Sequence, residues 1–435
     1  MTRPGPMPMS DLESACPTPG VKAADRIDPY WAGLWVSHAG AVAVAWASRS
    51  SLRRAEAAGA GRMLASEKKW EPDEALDLVV AKPGRLAQLA AINLWRTATG
   101  PQLTAITGRK GRGAISDLEL LWAAELIQKG GIVNRAMPSS SLPQLYRPDV
   151  QARATDLGHR LTYAEWVGVT AGQPWSVGSQ FDRHNLLTTE LSIRVAEFCQ
   201  IGNVFGEQLG VWPLLFGDNQ SVEKTSKRAA DAVWIRPDGF RIAVEATASI
   251  SSTLREKVAK WASALASDKS KSLMVVFVDV SPPGNHTANR TGTLTRKIVA
   301  EEANATMDRN LARVAERMAF VRWGDWFPAL GMVDPAFVGL RAEVPTGPPA
   351  ARWVPADLLD PYAVPFKPAD PASALAVLDN ANLLYGVPAW LKKGPGPDLD
   401  AVVRARGGVP PVTPMSPERR AHLDAIRPKG RPSKT

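Results

Sequence analysis

Cysteine is nearly missing from this chain of 435 residues: Cys16 and Cys199 are too few and too far apart for a disulfide framework or a thiolate zinc site. That scarcity predicts a reducing, cytoplasmic setting and no structural metal. Three enzyme signatures are absent as well. There is no Gly-x-x-x-x-Gly-Lys-Ser/Thr phosphate loop, no Gly-x-Gly-x-x-Gly behind a strand and no His-Glu-x-x-His, which sets aside ATPase, dehydrogenase and zincin chemistry. The N-terminus has acidic residues and prolines where a secretory leader carries positive charge followed by an apolar core. Nor does the apolar stretch Trp31–Ala47 reach the roughly 20 residues of a membrane span. Interrupted by Ser37 and His38, it predicts a buried helix or strand pair and no membrane partner.

What the chain does have is positive charge and proline. A net charge of +9 on a body that is 45% apolar describes a globular protein with an anionic partner, most commonly nucleic acid. Part of the excess is local, because from Arg404 to Thr435 eight Lys or Arg stand against two acids. Within that stretch Pro428-Lys429-Gly430-Arg431-Pro432 is similar to an AT-hook core with Lys at its usual first Arg. Such an element lays its Arg in the narrow minor groove of A·T-rich DNA, which makes Lys429 and Arg431 candidate DNA contacts. The plain alternative is a solubilising tail. Prolines recur from Pro335 to Pro411 too often for regular structure to run far, so residues 329–403 are expected to be irregular and 404–435 a disordered basic tail. Residues 1–27 are expected to be disordered and 28–81 to form a helical N-terminal region, polar and Ala-rich from Arg49 to Glu74. The fifteen tryptophans are irregularly spaced and read mostly as core rather than as a base-stacking series.

Residues 82–150 read as a winged helix. Arg85–Arg96 has apolar residues near helical spacing, Thr99-Gly100-Pro101 makes a turn, and Gln102–Thr107 is a second short helix. Ile115–Lys129 is expected to be a third helix, capped by Ser116 and ended by Gly130-Gly131. Ile132-Val133 and Leu145-Tyr146 then flank the polar segment Pro138–Ser141 as strands flank a wing. Arg109, Lys110 and Arg112, in a Gly-rich turn before the third helix, are placed for phosphate contacts on duplex DNA. A small helical domain for protein contacts is the competing reading.

The next block, 180–328, holds the most informative residues. Leu187–Gln200 is an amphipathic helix, Val211–Phe216 a strand, and Asp231–Ile235 and Phe240–Ala246 are strands joined by the three-residue loop Pro237-Asp238-Gly239. If Arg236 faces Phe240 across that loop, Asp231 falls opposite Glu245. Glu245 then shares a face with Arg241 and Ala243, while Phe240, Ile242 and Val244 point the other way. Two carboxylates at cross-strand distance repel unless a cation lies between them, and Mg²⁺ suits such a pair; two surface acids on a solvated hairpin is the bland reading. Thr253–Ser267 is a helix with a core stripe of Leu254, Val258, Trp261 and Leu265, and Ser272–Val280 is a strand covered on both faces. Glu301–Met318 is a further helix and Ala319–Trp323 a last strand.

This order, with Asp231 and Glu245 on consecutive strands, resembles the PD-(D/E)XK nuclease-like superfamily. With the winged helix upstream it is most similar to the replication-relaxation family of plasmid, phage and conjugative-element proteins. The likeness covers Lys82 to Trp326 and rests on the Asp231 hairpin, the end of the Glu245 strand, Lys257-x-x-x-Trp261, and His184 and Glu190 ahead of the core. It implies an α/β fold: an N-terminal winged helix, an αβββαβ nuclease-like core, a Pro-rich C-terminal region and a basic tail. It implies that Asp231, Glu245 and the Ala246 carbonyl hold Mg²⁺, that Lys257 is the electrostatic partner of the reaction, that Glu190 reaches the metal through water, and that His184 contacts phosphate or acts as general acid. One departure stands out. The superfamily's Lys two residues after the Glu is Thr247 here, and Lys257 on the next helix is the substitute.

Three functions are compatible with these residues. The first is a DNA-binding protein of a mobile element whose nuclease-like domain no longer cuts. The second is a Mg²⁺-dependent endonuclease or nickase. The third is an adaptor in a conjugation or replication complex, whose partners are proteins, a second copy of the chain included, and which lacks salt-dependent DNA affinity.

Overall fold

The computed structural model describes residues 5–15, 21–34, 43–133, 142–149, 153–175, 182–216, 229–249, 252–267, 270–283, 286–310, 314–346, 352–366, 368 and 371–399, with isolated positions 401, 404, 421 and 425 beyond. The wing segment Pro138–Ser141 and the tail residues Lys429 and Arg431 lie outside them. The fold is mixed α/β, with a four-stranded and a seven-stranded sheet among the described residues.

The first half runs β1 (Met7–Pro8), β2 (Ala43–Ala47), α1 (Arg49–Ala57), α2 (Pro72–Val80), α3 (Pro83–Trp95), β3 (Ala98–Thr99), α4 (Gly100–Thr107), α5 (Gly111–Ala123), β4 (Ile127–Val133) and β5 (Gln144–Pro148). Strands β2-β4-β5-β3 make an antiparallel sheet in that spatial order. Helix α4 starts from a reciprocal cap, in which the Thr99 hydroxyl accepts from Gln102 N and the Gln102 side chain accepts from Thr99 N. It ends at Gly108, whose φ of +70° favours glycine. Helix α5 departs from the expected Ile115–Lys129. It begins four residues earlier at Gly111 and stops at Ala123, and the chain turns through Glu125 at φ +58°. Gly130 and Gly131 therefore end no helix; they lie inside β4. Gly130 is needed there because a Cβ would stand 2.6 Å from the ring of Trp46 on the neighbouring strand.

The second half runs α6 (Ala154–Gly158), α7 (Tyr163–Thr170), α8 (Asp182–Phe198), β6 (Asn203–Gly206), α9 (Trp212–Phe216), β7 (Ala232–Ile235), β8 (Arg241–Thr247), α10 (Leu254–Leu265), β9 (Leu273–Asp279), α11 (His286–Asn310), β10 (Met318–Arg322), α12 (Trp323–Trp326), β11 (Met332–Val333), β12 (Arg341–Pro345), β13 (Trp353–Asp357) and α13 (Pro371–Ala381). The large sheet has the order β13-β12-β10-β9-β8-β7-β6. Its centre, β8-β9-β10, is parallel, and both flanks are antiparallel. The all-apolar run of β9 matches that central place, buried on both faces.

Several expectations are corrected here. The expected strand Val211–Phe216 is instead a short helix over Trp212–Phe216; Pro213 suits a first helical turn, and a six-residue apolar run does not by itself distinguish the two. Helix α8 is enclosed on nearly every side rather than amphipathic, and its polar residues are paired inside. Helix α11 starts at His286 and ends at Asn310, ahead of the expected Glu301–Met318. The Pro-rich region is not merely irregular: β12 and β13 extend the sheet past β10, and α13 packs on the hairpin loop so closely that a Cβ on Gly239 would stand 2.2 Å from the Ala374 carbonyl. Residues 5–15 and 21–27 are ordered, with Met9 and Ala23 in the core and Met7–Pro8 paired to Met332–Val333. One contiguous apolar cluster, from Met9 to Leu391, unites the regions that the sequence divides at 81 and 150.

Candidate functional site

The hairpin forms as the loop chemistry requires. Gly239 takes φ +84°, its amide donates to the Arg236 carbonyl at 2.9 Å, and Arg236 N donates to the Phe240 carbonyl at 2.9 Å. Ala232 pairs with Val244 and Ile235 with Arg241, so the ladder, continued one residue, sets Asp231 opposite Glu245. This is the register read from the three-residue loop. The hairpin is not solvated, however, since every residue of β7 and β8 is buried.

Asp231 fastens the two strands: its Oδ2 accepts from Ala246 N at 2.8 Å. Glu245 has no exposed surface; Trp261 Nε1 donates to its Oε1 at 2.6 Å, and the Lys257 ammonium forms an ion pair with its Oε2. Lys257 and Trp261 are one helical turn apart on α10, which brings both to the same carboxylate. Burial pushes the Glu245 carboxyl up to about 7 with the help of the Asp231 charge, although Lys257 opposes the shift. Burial works against the Lys257 ammonium too, but the fields of Glu245, Asp231 and Glu207 outweigh it and hold the group well above the ordinary lysine value. Lys257 is therefore a permanent cation and not a base.

His184, on the first turn of α8, faces this group. Burial holds its imidazole below the ordinary histidine value, against the charge of Asp231 and a hydrogen bond to the Ala246 backbone; Arg183 and Lys257 reinforce the lowering. A neutral ring that donates to Ala246 is a poor general acid, which narrows the expected role of His184 to orientation. It also occupies the Ala246 backbone oxygen expected to help hold a metal.

Asp231, Glu245, Lys257 and His184 thus converge, and Glu190 does not. Its carboxylate is enclosed by Arg26 Nε at 3.1 Å, Arg194 Nε at 3.0 Å and Gln102 Nε2 at 3.2 Å, in a cluster that also holds Glu197 and Asp28. Glu190 is a structural counter-ion and not a metal-side acid. Glu207, just past the end of β6, is the acid the sequence reading misses; nothing in the motif Gly206-Glu207 sets it apart from a turn residue, and only the folded chain shows its field at Lys257.

Comparison with family models, curated proteins and solved structures finds no match to this chain. Chemistry must therefore be argued from these side chains. The donor set at the hairpin is hard oxygen, and the only cation that meets Glu245 Oε2 among the described residues is the Lys257 ammonium, so a metal ion there would share that oxygen with Lys257. No group of three or more His, Cys, Asp or Glu converges as a metal site among those residues, so a divalent ion at the Asp231–Glu245 pair would complete its shell with water. Of the basic residues at the turn before α5, Lys110 and Arg112 are exposed, whereas Arg109 is paired with the buried Asp117 and lies against Gly84. Arg109 is a brace of the turn; the two cations open to solvent are its neighbours.

Proposed function

We propose that this chain is a DNA-binding protein of the replication-relaxation kind, serving plasmid or phage replication or transfer, with a phosphodiester-hydrolysing site in a nuclease-like domain. The observation that carries the nuclease part is the meeting of Lys257 with Glu245 across from Asp231, because it supplies on the following helix the cation that Thr247 lacks. The order α8-β6-α9-β7-β8-α10-β9, antiparallel until the β8-β9 pair becomes parallel, supports a PD-(D/E)XK core with the short α9 inserted before its hairpin. The order α3-β3-α4-α5-β4-β5 with antiparallel β3, β4 and β5 supports a winged helix ahead of it.

In this reading Asp231 and Glu245 would hold Mg²⁺, which when bound activates a water and neutralises charge on the scissile phosphate. Lys257, permanently charged, stabilises the phosphate oxygen that gains charge as the bond to the leaving group breaks. Trp261 fixes the Glu245 carboxylate so that its second oxygen faces Lys257. His184 orients the strand end through Ala246.

A second reading has its own observation. Glu245 is wholly buried and closed in by Trp261 and Lys257, as a structural ion pair would be, which favours a nuclease fold kept as a DNA-binding scaffold. The test is nicking of supercoiled plasmid with Mg²⁺ or Mn²⁺ by the wild type, Asp231→Ala and Lys257→Ala, with DNA affinity recorded at two salt concentrations. Nicking lost in both variants supports the nuclease. Salt-sensitive binding without nicking supports the scaffold, and binding that ignores salt removes DNA as the partner.

A further inference from the structure

We infer that Trp212 and Phe216 on α9 form a shelf on which an unpaired nucleobase stacks beside the Glu245–Lys257 pair, so that the DNA taken at this site is gapped, forked or single-stranded rather than fully paired. The inference rests on the DNA-binding reading above and adds the form of the substrate. β6 and β7 are paired neighbours, with Gly206 facing Ala232, yet the chain does not turn directly from one to the other. It runs out through α9 and sets that short helix against Trp261 of α10. Of Trp212, Pro213, Leu214, Leu215 and Phe216 only Leu215 is buried; the other four are half-buried. The tryptophans that serve the core, among them Trp234, Trp261 and Trp326, are fully buried.

The rings form a series that leads away from the buried carboxylate. Trp261, whose Nε1 donates to Glu245 Oε1 at 2.6 Å, lies 4.8 Å from Trp212 between ring centres. Trp212 and Phe216, one helical turn apart, stack at 5.3 Å with 17° between their planes. Every base has a π face and can extend such a stack, whatever the sequence. In a duplex both faces of a base are already covered, which restricts the shelf to a base that is unpaired or drawn out of the helix. The charges beside it suit the backbone of that nucleotide. Lys260 is exposed, enters no ion pair among the described residues, and holds its ammonium 5.5 Å from the centre of the Trp212 ring. Three residues before it, Lys257 meets Glu245. Positions so spaced on a helix lie about 5–6 Å apart at Cβ, so one nucleotide reaches from a phosphate at Lys257 to a base on the shelf.

The experiment uses the full chain, without divalent ions so that no strand is cut. Two DNA duplexes of one sequence are compared, one fully paired and one with a short gap opposite a 2-aminopurine, whose fluorescence falls when the base stacks on an indole. The wild type should bind the gapped duplex more tightly and quench the probe. Trp212→Ala should remove that preference, a change of about 5- to 150-fold for one base–aromatic stack, and should lose the quenching, while Trp212→Phe retains most of both. Lys260→Ala, at an exposed position, should melt with the wild type, bind the gapped duplex more weakly and lower its salt slope by about 0.7. Equal affinity of the wild type for the two duplexes, or a preference and quenching that survive Trp212→Ala, overturns the inference and leaves DNA binding standing. Should Trp212→Ala fail to fold, a salt slope unchanged in Lys260→Ala overturns it instead. A wild type that binds neither duplex overturns the function proposed above.

Discussion

Helix α8 borders two clusters of buried charge that look alike in sequence and differ in kind. At its C-terminal half Arg26 and Arg194 meet Glu190, Glu197 and Asp28, all with side chains at most 4% exposed. At its N-terminal turn His184 faces Asp231, Glu245 and Lys257, where the carboxylate is buried but its cation is 44% exposed. In the first cluster the carboxylates are met by guanidinium groups from inside the protein. In the second, one cation, Lys257, arrives from the solvent side and alone meets the second carboxyl oxygen of Glu245. Burial of charge alone therefore does not single out a candidate; what sets the second cluster apart is a buried carboxylate whose counter-ion reaches solvent.

Removing a cation from each cluster tests the contrast most severely. Arg26→Ala strands the buried Glu197 carboxylate and leaves Glu190 with Arg194 as its one cation, and should cost about 3–5 kcal/mol of folding stability in urea denaturation. Lys257→Ala should cost under about 1 kcal/mol, because its side chain is 44% exposed and Glu245 can take up a proton instead. On the nuclease reading the same variant should lower nicking by about 10²- to 10³-fold. Equal losses of stability in the two variants would erase the distinction.

Titration sharpens it further. The Glu245 carboxyl is raised in the folded protein to about 7, so its contribution to stability is complete below the ordinary carboxyl range and is lost as pH rises through about 7. Replacing it by Gln should remove a decline on the order of 3 kcal/mol between about pH 4.5 and 7.5, seen as a flatter profile of melting temperature against pH. His184, held low by burial, slopes the opposite way, gaining stability as pH rises towards its unfolded value, and that slope should survive in Glu245→Gln. Nicking, if it needs the ionised carboxylate, should rise across the same interval.

The smallest effects belong to Lys110 and Arg112, exposed cations that lie in neither cluster. Lys110→Ala with Arg112→Ala should leave melting within about 0.5 kcal/mol of the wild type. Log affinity for duplex against log salt should become shallower by about one for each phosphate that is no longer neutralised. A steep slope that persists would move the DNA-binding face away from α5.

How far the sequence could be read follows the reach of each signal. Pro237-Asp238-Gly239 sets a local turn, and from it the register of Asp231 and Glu245 follows across two strands. The stripe Leu254, Val258, Trp261 and Leu265 and the apolar run of β9 are likewise legible, because their periods depend only on neighbours. What fails depends on distant partners. The enclosure of α8 comes from segments as far away as Arg26, and the pairing of β12 with β10 is hidden by prolines that sit at strand ends and edges without breaking them. Lys257 is legible as a candidate through a motif spacing, yet its ion pair with Glu245 is a matter of where α10 lands on the sheet. Glu190 misleads for the same reason: an acid on the right helix, turned towards the wrong neighbours.

The hold of the N-terminal segment on α8 has a practical result for anyone dissecting the molecule. Ser14 and Ala15 bond to the Glu197 carbonyl, Arg26 spans Glu190 and Glu197, and Gln102 reaches Glu190 from α4. Fragments cut at residue 81, 150 or 180 would each carry away one party to these bonds, so the α5-bearing and hairpin-bearing parts should be compared by substitution within the intact chain rather than by expressing them apart.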